Sequence, residues 1–200
     1  MSRLAVLASG NGSNFEALAE SLRSRAFEKG VPRHQCVLLL YDRKAAFAAR
    51  RAERLGITAR YVSYFKRDPE EAEAEIALAL EEARVDLVAL AGFMRILSPL
   101  FVAARRGRIV NVHPSLLPKW PGAHAIERAY HSGEREFGVT VHLVDEGMDT
   151  GPVIDRECFT ARPDETLDEI EAYVHAVEHR VYPRAVLRLL DEIEAGRGEG

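Results

Sequence analysis

The sequence predicts an α/β fold, a doubly wound and mostly parallel sheet flanked by helices. Three observations carry this expectation. Short apolar runs recur through the first half, each followed by a segment with apolar residues at helical spacing. Glycine or proline marks several of the junctions. The last third changes character, with two alternating strands that extend the sheet and a long helix at the C-terminus.

Leu4 to Ala8 reads as a buried strand, and Gly10-Asn11-Gly12-Ser13-Asn14 as a turn. Phe15, Leu18, Ala19 and Leu22 then form the buried stripe of a first helix. Cys36 to Tyr41 gives a second strand, and Lys44 to Leu55 a second helix closed by Gly56. Ile57 to Val62 is a weaker third strand. Pro69 opens a third helix, where Glu70, Glu71, Glu73 and Glu75 suit the positive end of the helix dipole and read as a solvated face. Asp86 to Ala91 is strand four, Pro99 to Arg105 a short helix, and Ile109 to Val112 strand five.

Phe137 to Val144 alternates, with Val139, Val141 and Leu143 on one face and Thr140 and His142 on the other. Pro152 to Phe159 is another extended segment, and the two are expected at the sheet edge, antiparallel. From Thr166, the positions Leu167, Ile170, Val174, Val177 and Val181 fall at helical spacing. Pro183 is expected to break or kink that helix, leaving Ala185 to Ile193 as a second amphipathic piece. The end, Gly196 to Gly200, is expected to fray.

Bulk properties bound the function. A chain of 200 residues, 47% hydrophobic and 29% charged, fits one globular domain over 1–200. The 27 basic and 31 acidic side chains leave a net charge of −4, which gives nucleic acid no electrostatic hold. The apolar start is too short for a signal peptide or membrane span, so a cytoplasmic protein with no membrane partner is expected. Cys36 and Cys158 lie in apolar runs without metal spacing and are expected as buried free thiols. His124, His131, His142, His175 and His179 show no metal-ligand spacing either, so no metal is expected.

Three constellations could carry chemistry. A strand, a glycine turn and a helix start place free N–H groups and a helix dipole at Gly12, Ser13 and Asn14, where a phosphate can bind. Phe15 stands where a dinucleotide fingerprint wants its third glycine, and the lysine of a P-loop is missing. Asp42, at the end of strand two, sits where a dinucleotide enzyme keeps its ribose-binding acid, and otherwise reads as a loop carboxylate. Second, Asn111-Val112-His113-Pro114 puts an amide donor and an imidazole on one face at a strand's end, beside a loop stiffened by Pro114 and Pro118. Third, Asp145-Glu146-Gly147-Met148-Asp149-Thr150-Gly151-Pro152 can turn tightly enough to aim Asp149 inward. A carboxylate near the imidazole would keep that imidazole protonated, and the three groups could then serve one acyl-type transfer. A serine-hydrolase elbow is absent.

These residues resemble a known family. Asn111 to Pro118 followed by Asp149-Thr150-Gly151 is similar to the pattern of the folate-dependent formyltransferases. Gly10 to Asn14, Ala91-Gly92-Phe93-Met94-Arg95-Ile96-Leu97, Lys119-Trp120-Pro121-Gly122 and Glu178-His179-Arg180-Val181-Tyr182-Pro183 resemble the phosphoribosylglycinamide formyltransferase family of purine biosynthesis. The resemblance implies a Rossmann-like fold. It also implies formyl transfer from 10-formyltetrahydrofolate, a consumed co-substrate rather than a tightly bound cofactor, to the amine of glycinamide ribonucleotide. Asn111, His113 and Asp149 match the family's catalytic positions, with Asn111 and His113 stabilising a tetrahedral intermediate and Asp149 assisting proton transfer. Gly12, Ser13, Asn14 and Glu178 match ribonucleotide-binding positions, and Met94, Arg95, Ile96 and Leu97 match the folate wall.

Phe65-Lys66-Arg67-Asp68 is shifted from the family pattern, so Arg67 is the nearest match to a folate-binding arginine. Tyr41-Asp42 stands where Ser-Asn is commoner. The resemblance implies a part up to about 110 that binds the ribonucleotide and a part of about 111–195 with catalytic and folate-binding elements. Partners are expected to be these two small molecules, with the protein a monomer or homodimer. A methionyl-tRNA formyltransferase usually has Arg-Gly where this chain has Pro121-Gly122, and would favour a more basic surface.

Overall fold

The computed structural model describes residues 1–29 and 34–197. One seven-stranded sheet runs through the molecule in the order β3-β2-β1-β4-β5-β6-β7. Strands β1 (Ser2–Ala8), β2 (His34–Tyr41), β3 (Thr58–Tyr61), β4 (Leu87–Leu90) and β5 (Ile109–His113) are parallel. β6 (Glu136–Leu143) runs antiparallel to β5, and β7 (Val153–Thr160) antiparallel to β6. The helices are α1 (Ser13–Lys29), α2 (Ala48–Leu55), α3 (Pro69–Glu82), α4 (Pro99–Ala104), α5 (Ala125–His131) and α6 (Leu167–Gly196).

Alternation along the strands builds two cores. Leu4, Val6, Leu39, Leu87, Ala89, Val110 and Val112 pack against α1, α2 and α6. Ala5, Leu7, Leu38, Leu40, Val88, Leu90 and Ile109 pack against α3 and α4. A sheet buried on both faces explains why β1 and β4 are apolar at nearly every position.

α6 overturns the expected break at Pro183. It is one helix of 30 residues with Pro183 inside it. Proline removes one backbone donor and crowds the carbonyl four residues earlier, at a cost of roughly 3 kcal/mol. Tyr182, Pro183, Ala185 and Val186 are all buried, and that packing outweighs the local cost. The helix starts at a capping box, Thr166 with Glu169. Residues 198–200 of the glycine-rich end lie outside the described residues.

Four further expectations change. α2 begins at Ala48 instead of Lys44, because Ala46 N–H closes a turn on Arg43 and Ala48 N–H is drawn to the Gly10 carbonyl at 3.2 Å. Glu73, expected in solvent, is buried and accepts the Ser98 N–H at 2.8 Å. Cys158 is exposed on the edge strand β7, where alternate side chains face outward. Cys36 is a free thiol only partly covered, and desolvation pushes its pKa up to about 12. α5 was not expected, since seven residues give too little periodicity.

Candidate active site at the strand ends

β5 positions the first two groups. Val110 and Val112 belong to one core and Ile109 to the other, so Asn111 and His113 point with Ile109 towards the α3 and α4 face. The β5–β6 register sets Asn111 opposite His142 and His113 opposite Thr140, which places all four on that face. Thr140 fastens the loop that follows β5. Its buried hydroxyl donates to the Ser115 carbonyl at 2.7 Å and accepts the Leu117 N–H at 3.1 Å. Leu117–Pro118 is a cis bond within that loop.

Asp149 arrives from the β6–β7 connection. Asp145 accepts the Gly147 N–H at 3.1 Å and the Thr150 hydroxyl at 2.7 Å, which coils this connection into a tight turn. Asp149 itself has φ +56°, a left-handed conformation that Asp tolerates better than most residues. Its Oδ2 accepts the Gly122 N–H at 2.7 Å and lies 3.4 Å from His113 Nδ1. Its Oδ1 lies 3.4 Å from Asn111 Nδ2 and 3.5 Å from His142 Nε2. Burial by itself would raise the Asp149 carboxyl. The His142 hydrogen bond, the Gly122 N–H and the charges of His113 and His142 outweigh burial and hold it down to about 2.

The two histidines are set differently. His113 is buried, and its Nε2 is 2.8 Å from the Trp120 carbonyl. Both His113 nitrogens therefore face acceptors, an arrangement that a doubly protonated ring satisfies. His142 Nδ1 is 2.8 Å from the Leu143 carbonyl, and its Nε2 lies between Asn111 Nδ2 at 3.2 Å and Asp149 Oδ1 at 3.5 Å. His142 was legible as Thr140's neighbour on a strand face, but its contact with Asn111 depends on a register no sequence pattern states.

A cleft opens beside this cluster. Asn111, His142 and Asp149 form its polar edge, with Leu97, Val102 and Val144 on the apolar side. Arg95 and Ile96 line it too, whereas Met94 does not. Met94 and Ile96 are exposed, at 62% and 77%, which rules out plain core packing for them. Arg67 lies outside this lining and donates to Glu75 at 2.8 Å and to the Ser63 carbonyl at 3.2 Å. A folate contact would require Arg67 to exchange those partners.

The glycine turn sits at the start of α1. Gly12 has φ +77°, and a Cβ there would lie 2.6 Å from Ala48 Cβ, so both conformation and space demand glycine. Arg51 braces the turn, donating to the Asn11 carbonyl at 3.0 Å and to Asn11 Oδ1 at 2.7 Å. Asn14 Nδ2 donates to Glu178 Oε2 at 3.0 Å, and Asn14 Oδ1 is buried with no partner among the described residues. Glu178 also holds His175 Nδ1 at 2.9 Å, a bond that raises the His175 pKa. Asp42 sits just past β2 and pairs with Arg95, as a loop carboxylate. Among the described residues no group of His, Cys, Asp and Glu could hold a metal ion.

Comparison with known proteins converges on one family. The formyl transferase family model matches residues 2–186. Phosphoribosylglycinamide formyltransferase of Bacillus subtilis is 39% identical over 196 residues, covering 95% of each chain. The trifunctional purine biosynthetic protein adenosine-3 of Drosophila melanogaster is 43% identical over 190 residues, which are 94% of this chain and 14% of that protein. Among solved structures, glycinamide ribonucleotide transformylase 1 from Geobacillus kaustophilus superposes with a TM-score of 0.86 at 43% identity, covering 95% of this chain and 99% of that one. The corresponding protein of Symbiobacterium toebii gives 0.89 at 34% identity, covering 96% and 89%. The chain therefore belongs to the formyl transferase family and, within it, to the phosphoribosylglycinamide formyltransferases.

Proposed function

We propose that this protein transfers the formyl group of 10-formyltetrahydrofolate to the amine of glycinamide ribonucleotide, a step of purine biosynthesis. The observation that carries this reading is that Asp149 joins Asn111 to the buried His113, with Asn111 and Asp149 facing a cleft lined by Arg95, Ile96 and Leu97. The co-substrate supplies an activated formyl group, and the residues supply position and charge. Asn111 Nδ2 has two long contacts, at 3.2 and 3.4 Å, and exchanges them for the formyl oxygen as negative charge builds there. His113 places positive charge behind that oxygen. Asp149, held down to about 2, is too weak a base to take the amine proton and keep it. It anchors both histidines and passes the proton through water towards the departing N10. His142 orients Asn111 and Asp149 from the facing strand.

The cradle at Gly12, Ser13 and Asn14 receives the ribonucleotide phosphate on the free N–H groups at the start of α1. Gly12 lets the chain turn tightly into α1 against Ala48, and the unsatisfied Asn14 Oδ1 suits a hydroxyl of the ribonucleotide. Glu178, an acid beside an anion site, accepts from the ribose hydroxyls instead of touching phosphate. Labour divides near residue 110, except that Arg95 to Leu97 bring the folate wall from the first part. Both ligands are small molecules, the folate is consumed without a tightly held cofactor, and the enzyme works in the cytoplasm as a monomer or homodimer. No described helix is long and apolar enough to cross a membrane.

The test offers purified protein 10-formyltetrahydrofolate with either glycinamide ribonucleotide or methionyl-tRNA. Turnover with the ribonucleotide alone is expected. Preference for the tRNA would replace this reading with that of the other formyl-handling branch.

A further inference from the structure

We infer that Asp42 is a positioning residue for the cleft wall, fixing the 92–98 segment before any ligand arrives. Five hydrogen bonds tie this segment to Ser9, Asp42 and Glu73, one of them from the Ser98 hydroxyl to Glu73 Oε2. Ser9 N–H donates to the Gly92 carbonyl at 3.1 Å, and Ser9 Oγ accepts the Met94 N–H at 2.8 Å. Asp42 Oδ2 accepts Arg95 Nε at 2.6 Å. Glu73 Oε1 accepts the Ser98 N–H at 2.8 Å. Ser9, Asp42 and Glu73 are exposed by only 2%, 5% and 3%, although the segment they hold carries Met94 and Ile96 in the open.

Buried carboxylates are retained against a desolvation cost, so each needs a compensating role. Asp42 has one oxygen on Arg95, while Oδ1 is buried with no partner among the described residues. A carboxylate serving stability alone would be better replaced by an apolar side chain of the same size. Its one contact fixes the Arg95 guanidinium through Nε, the atom nearest the backbone, and Arg95 lines the cleft. Tyr64 completes the seat. Its ring carries the guanidinium at 5.0 Å and meets Phe93 edge-on at 6.2 Å. The wall is thus shaped by the ends of β1, β2 and β3 and by α3, none of which contributes to the Asn111, His113 and Asp149 cluster.

This inference rests on the folate reading of the cleft, and two measurements on the full-length protein separate them. Hydrogen exchange without ligand reads the wall directly. In Asp42→Asn the amides of residues 93–98 are expected to exchange faster, with the rest of the sheet unchanged. Steady-state kinetics read its consequence. The KM for 10-formyltetrahydrofolate is expected to rise about tenfold, as for loss of one charge-assisted hydrogen bond, with kcat and the ribonucleotide KM unchanged. Glu73→Gln is expected to show the same split, and decides the matter if Asp42→Asn fails to fold. Unchanged exchange overturns the inference, and so does a fall in kcat without a rise in folate KM. If the wild type does not use the folate at all, the functional reading fails while the exchange result still decides the role of Asp42.

Discussion

Asn111 and His113 were legible because strand alternation is a local property, and two residues apart on a strand means one shared face. Asp149 was legible as a turn residue able to point inward. His142 was half legible, since its face could be read but its partner across the β5–β6 register could not. Glu73 was misread, because an acid on a helix's first turns is ordinarily solvated and nothing local announces the Ser98 N–H that it meets. Two predictions belong at this scale. Asp149 has a folded pKa of about 2, below its ordinary 3.8, so it adds stability that is present above 3.8 and lost as pH falls towards 2. Urea melts across that window are expected to show a smaller acid-dependent loss in Asp149→Asn than in the wild type. Replacing Gly12 by Ala is expected to raise the ribonucleotide KM by about tenfold or more, since the new Cβ must displace Ala48 from the cradle; an unchanged KM would remove the cradle from the account.

Elements with a clear period and a punctuating residue were readable to within a few positions, as at β1, the Gly56 end of α2 and the Thr166 start of α6. Those that differed were decided by tertiary contacts. α2 starts late because its first turn is tethered to the glycine loop. α6 continues through Pro183 because both sides of the proline are buried on the sheet. The capping box of α6 gives an element-scale prediction. Thr166→Ala removes the acceptor for Glu169 N–H and is expected to cost about 1 kcal/mol, read as a lower thermal midpoint with formyl transfer unchanged.

Over the whole molecule, the parallel order around β1 follows from strands alternating with helices, and the antiparallel edge from two adjacent alternating strands. The sequence pattern could not say which helix ties the catalytic strand to the core. Tyr182 of α6 does so, its fully buried hydroxyl lying 2.9 Å from the Leu90 carbonyl of β4 and 3.1 Å from the Val110 carbonyl of β5. Tyr182→Phe is expected to destabilise the fold by about 1 kcal/mol, seen as a lower denaturant midpoint at unchanged slope. The site is thus assembled from β5, its following loop and the β6–β7 turn, on a sheet fastened from behind by α6. The most direct test of its chemistry is single-turnover formyl transfer from 10-formyltetrahydrofolate to glycinamide ribonucleotide by wild type, His113→Ala and Asp149→Asn. Rapid transfer by the wild type with each variant slowed by about 10²-fold or more is predicted; full-rate transfer by the His113→Ala protein would contradict the account.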